Sequence, residues 1–161
     1  MFWAYEATDP GKDLLPLGYY RAYAWLAMRF GLDGAGFWCY KYHDARWPLE
    51  TTDWSVVYQS DDRVVPSRRW KACRDGQEDF RAMHALRRAA KDARAAGFDA
   101  DADRAEALLA EALENIIGRQ IREIDEITRQ TRDYEVDFNA MPAYRERFAQ
   151  EIMRLNAIIA E

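Results

Sequence analysis

Histidine and cysteine are scarce in this chain: its 161 residues hold two of each. Cys39 and Cys73 lack the C-x-x-C spacing of a zinc or redox motif. Each sits inside an apolar pattern, where a free buried thiol is expected. No apolar run is long enough to form a membrane-spanning helix. The N-terminus has no basic segment followed by an apolar one; Glu6 and Asp9 fall where that segment belongs, so no secretory signal peptide is recognisable. Neither a glycine-rich phosphate loop nor a G-x-S-x-G elbow occurs. The net charge is −5 with both signs interspersed, and no basic patch is interleaved with aromatics, so the footprint of a nucleic-acid binder is missing. No cofactor or metal is expected, and the sequence leaves the compartment open.

Aromatic residues are abundant, at 14%, and unevenly placed. All six tryptophans (Trp3, Trp25, Trp38, Trp47, Trp54, Trp70) lie in the first 70 residues. After Gly97 the composition shifts to Ala, Glu, Arg and Ile. Two regions are expected: an aromatic α/β part over 1–97 and a helical extension over 98–161.

Phe2 to Glu6 has the aromatic content of a strand and is followed by the turn sequence Thr8-Asp9-Pro10-Gly11. Leu17 to Phe30 has helical spacing, with Gly31 as its C-cap. Ala35 to Tyr40 is a continuous apolar run, as in a parallel strand covered on both faces. Two parallel strands alone cannot bury both faces. The expected fold is therefore the C-terminal fragment of a (β/α)8 TIM barrel, about two parallel strands followed by an α-helical tail, mostly helical by residue count. The expected partner is the missing N-terminal part of the same barrel or a second copy of the chain. A long loop is expected from Lys41 to Pro66, with a short strand near Val56-Val57-Tyr58. Ser67 is placed to cap the next helix, whose stripe is Trp70, Cys73, Gln77, Phe80 and His84. Further helices are expected from Asp101 or Asp103 to Ile117, through Ile121, Ile124 and Ile127 to Arg132, and from Pro142 onward.

The residues that could meet a ligand cluster in the aromatic part. Glu6 ends the first strand, and Asp44 and Asp53 lie in the long loop; paired carboxylates serve glycoside hydrolysis. Trp3 and Tyr5 share one strand parity, and so do Trp38 and Tyr40. With Trp47 and Trp54 they could form an aromatic wall suited to the apolar faces and hydroxyl edges of a sugar. Ordinary core packing is the competing role for the strand aromatics, and a hydrogen-bonded turn is the competing role for the acids. His43 beside Asp44 could bind metal or substrate, or simply be exposed.

Three stretches match a known pattern: Gly31-Leu32-Asp33-Gly34 with Phe37-Trp38; Asp53 with Val57-Tyr58; and Val65-Pro66-Ser67-Arg68-Arg69-Trp70 with Arg74-Asp75-Gly76-Gln77-Glu78-Asp79-Phe80. Over residues 2 to 90 the chain resembles the C-terminal part of a glycoside hydrolase family 123-like catalytic domain, also known as domain of unknown function 4091. The resemblance implies a (β/α)8 barrel acting on N-acetylhexosaminides, with the 2-acetamido oxygen of the substrate attacking the anomeric carbon. It also implies an Asp-Glu pair that orients the acetamido group and donates the proton. The only Asp-Glu step here, Asp125-Glu126, lies in the tail and does not inherit that role. The expected function is thus a fragment of a glycosidase-like protein, inactive by itself, with substrate-binding residues Trp3, Tyr5, Glu6, Trp38, Tyr40, Trp47, Asp53 and Trp54. The alternative is a non-catalytic carbohydrate-binding or helical protein-interaction module.

Overall fold

The structure is a computed structural model that describes residues 3–6, 17–32, 34–37, 56–59, 61–118, 120–124, 131–134 and 136–160. The chain divides into two compact units, Met1–Gln77 and Glu78–Glu161.

The first unit contains β1 (Trp3–Glu6), α1 (Leu17–Arg29), β2 (Gly34–Phe37), β3 (Val57–Gln59) and β4 (Val64–Pro66), and the start of α2 (Arg68–Ala95). In α1, Tyr20, Ala22, Trp25, Ala27 and Met28 are buried. These positions go round the helix rather than down one side, so α1 is enclosed. It stops at Gly31, which adopts a positive φ of 63°. Gly31 N–H donates to the Met28 carbonyl and Leu32 N–H to that of Ala27, which satisfies carbonyls the helix end leaves open. Gly97, at φ 91°, ends α2 in the same way, with Phe98 N–H donating to the Ala93 carbonyl.

Strands β1 and β2 pair in parallel, Trp3 opposite Gly34 and Glu6 opposite Phe37. Strands β3 and β4 form an antiparallel hairpin, Val57 opposite Pro66. Directly after it, Ser67 Oγ accepts from the Arg69 and Trp70 N–H groups at 3.1 and 3.3 Å. This is the cap that starts α2. Tyr20, Val56 and Cys73 form a buried cluster against which Trp70 packs. Here α1 and α2 touch backbone to backbone: a Cβ on Gly76 would lie 2.6 Å from the Arg21 carbonyl oxygen.

The second unit holds the remainder of α2, α3 (Asp99–Ile117), β5 (Gln120–Ile124), β6 (Thr131–Tyr134) and α4 (Met141–Ala160). Its helices bury stripes whose spacing alternates between three and four. The stripes are Asp79, Met83, Leu86, Ala90 and Ala93 on α2; Ala102, Ala105, Leu109, Ala112 and Ile116 on α3; and Met141, Tyr144, Phe148, Glu151 and Leu155 on α4. That period gives each helix a single apolar seam, and the alanines allow close approach. Before α4, Asp137 Oδ1 accepts from the N–H groups of Asn139 and Ala140. Pro142 sits in the first turn, where its missing N–H costs nothing.

Three expectations are corrected. The TIM-barrel fragment is not what the chain forms. Four helices hold most of the described residues, and the strands, three to five residues long, make three separate two-stranded pairs. A barrel flanks every strand on both sides, and among the described residues no strand links one pair to another. A short aromatic run after a glycine turn fits any small buried strand, so periodicity alone could not separate the cases. Second, Ile121 and Ile124 do not lie on a helix: Gln120–Ile124 pairs antiparallel with Thr131–Tyr134, with a register shift between Gln120 and Glu123, and Ile127 lies outside the described residues. Gly118 ends α3, and the β-branched Ile121, Ile124 and Thr131 favour strands. Third, the buried face of α2 is rotated from the expected stripe. Cys73 is buried, but Gln77 and His84 are exposed.

Candidate functional site

Of the eight substrate-binding residues expected from sequence, the structure describes Trp3, Tyr5 and Glu6, all on β1. Trp3 stands in register with Gly34, Tyr5 with Gly36 and Glu6 with Phe37. Both aromatic positions therefore face glycine positions on the neighbouring strand. Trp38, Tyr40, Trp47, Asp53 and Trp54 lie outside the described residues, as do His43, Asp44 and the Asp125-Glu126 step. The structure brings together three of the expected residues on one strand and does not describe the others.

The string from Val65 to Phe80 is fully described, and its residues have packing roles. Val65 and Pro66 close the β3–β4 hairpin, and Ser67 caps α2. Trp70 packs on the Tyr20–Val56–Cys73 cluster. Burial raises the Tyr20 hydroxyl above its ordinary value, and the charge of Arg69 and its hydrogen bond act in the opposite sense. Burial likewise pushes the Cys73 thiol up to about 12, so it is a protonated core group and not a nucleophile. Gly76 provides the close approach to α1. In the second unit, Asp79 is fully buried with one carboxylate oxygen 3.5 Å from the Arg145 guanidinium, which also holds Glu78 at 3.0 Å. The Phe80 and His84 rings meet edge to face at 4.4 Å.

A concavity of about 440 Å³ lies between α3 and α4, floored by Ala107 and Leu108 and walled by arginines and glutamates. On one wall Glu111 accepts two hydrogen bonds from Arg147, at 2.7 and 3.2 Å, and one from the Tyr144 hydroxyl at 2.9 Å. Asn115 donates to the same hydroxyl, and the Arg147 guanidinium lies 4.8 Å from the centre of the Tyr144 ring. Arg147 and then Tyr144 lower the Glu111 carboxyl below the usual range. On the other wall Arg154 donates twice to the buried Glu151, at 3.0 and 2.7 Å, and once to Asp101. The hydrogen bonds to Glu151 and then Asp101 raise Arg154 further above its already high value. Arg104 reaches Glu151 at 3.4 Å.

This groove is an ion-pair lattice. A glycosidic proton donor needs a carboxyl raised toward neutrality, and Glu111 moves the other way. Among the described residues no group of three or more His, Cys, Asp or Glu is placed to hold a metal ion, and no helix is long and apolar enough to cross a membrane. Sequence reasoning missed the groove because its partners, Glu111 with Arg147 and Asp101 with Arg154, are far apart in the chain. Only the helical period of α3 and α4, taken together with opposite charges on their flanks, could have paired them. No protein-family model matches the chain, and no curated protein matches it.

Proposed function

We propose that the chain is part of a glycoside hydrolase-like protein of the family 123-like type whose substrates are N-acetylhexosaminides. In this reading the first unit supplies sugar-facing residues, with Trp3, Tyr5, Trp38, Tyr40, Trp47 and Trp54 as apolar surface and Glu6 and Asp53 as hydrogen-bond acceptors. The observation that carries it is the string Val65-Pro66-Ser67-Arg68-Arg69-Trp70 with Arg74-Asp75-Gly76-Gln77-Glu78-Asp79-Phe80. What supports the reading is that its Ser, Gly and Asp occupy demanding positions: a helix cap, a backbone contact and a buried ion pair.

The chemistry of that protein would rest on the substrate's own 2-acetamido oxygen, with an Asp-Glu pair that this chain does not identify. This chain's part is to bind and orient, and it is expected not to cleave an aryl N-acetylhexosaminide by itself. Tryptophan emission tests the reading, because every tryptophan lies in the first unit. N-acetylgalactosamine is expected to give a saturable change that galactose does not give, and Trp38→Ala should weaken it without moving the thermal midpoint. An equal response to galactose, or none to either sugar, overturns the proposal. A helical protein-interaction module is the second reading, favoured by the ion-paired character of the α3–α4 groove. It predicts no response to either sugar.

A further inference from the structure

We draw no further inference here: the strongest candidate, the concavity between α3 and α4 walled by Arg104, Arg147 and Arg154 and floored by Ala107 and Leu108, belongs to the site already described, and its guanidinium groups face the carboxylates of Glu111 and Glu151.

Discussion

The two units reach stability by different means. The first buries large aromatics in an enclosed helix: Trp25 is 0% exposed and Tyr20 packs on Val56 and Cys73. Its geometry depends on shape, down to a glycine set against the Arg21 carbonyl. The second buries alanines, leucines and isoleucines along regular seams and lines its flanks with arginine–carboxylate pairs. There the buried acids Asp79 and Glu151 each have an arginine beside them. Such pairs add little net stability but are costly to break by half, so they fix the register of helices more than they strengthen the unit. Where packing is irregular, the sequence constrains individual positions; where it is periodic, it constrains residue types.

The largest test of this contrast is Phe148→Ala, at a fully buried seam position. It should cost about 3–5 kcal/mol, read as a lower urea midpoint by far-ultraviolet circular dichroism. A cost below about 1 kcal/mol would mean that the α4 seam collapses around the loss. Next is Gly76→Ala, where the new methyl meets backbone and cannot be relieved by a side-chain rotation. A loss of about 1–3 kcal/mol is expected in the tryptophan-reported transition, because the tryptophans belong to the first unit. If alanine stabilises instead, through its better helix propensity, α1 and α2 do not touch at that point.

Cys73 provides a smaller effect with a defined sign. Its thiol is pushed up to about 12, above the ordinary value of 9.0. The unfolded chain therefore releases this proton at lower pH than the folded one. The stabilisation is complete below about pH 9 and is lost as the pH rises toward 12. Between pH 8 and 10 the wild type should lose roughly 1 kcal/mol more than Cys73→Ala does, measured by urea unfolding at each pH. Parallel pH profiles for the two proteins would refute the buried-thiol assignment. Smallest is Glu111→Gln. The Glu111 carboxyl is lowered by Arg147 and Tyr144, so its contribution is present above about pH 4.5 and lost as the pH falls below it. The pair is half-exposed, which limits the effect to under about 1 kcal/mol. The acid-side difference between wild type and variant should vanish at low pH, and a difference that grows on acidification would contradict it.

Much of the helical content was legible because it rests on period and capping. Leu17 to Phe30 differs from α1 by one residue at its end, Ser67 caps α2 as expected, and Pro142 lies in the first turn of α4. The phase of α2 is hard to read from sequence because the bulky Trp70 and Phe80 are only half-buried, whereas the buried seam is made of the smaller Met83, Leu86, Ala90 and Ala93. Gly118 ends α3, and only the tertiary pairing of β5 with β6 makes a strand of the segment with Ile121 and Ile124. The barrel was inferred from resemblance and a short aromatic run, neither of which specifies how many strands pair. For the site, β1 carries three of the expected residues in register with β2, whereas the α3–α4 groove depends on contacts between distant positions that no local pattern encodes.

The contact at Gly76 has an evolutionary consequence. Any other residue there meets the main chain of α1, which a side-chain change elsewhere does not relieve, so mutational drift at this codon is opposed by the fold itself. Neighbouring positions that interact only through side chains can change in pairs. A lineage could therefore vary the residues around it and still keep glycine at this position. A glycine kept for this reason marks the packing of two helices and is silent about chemistry.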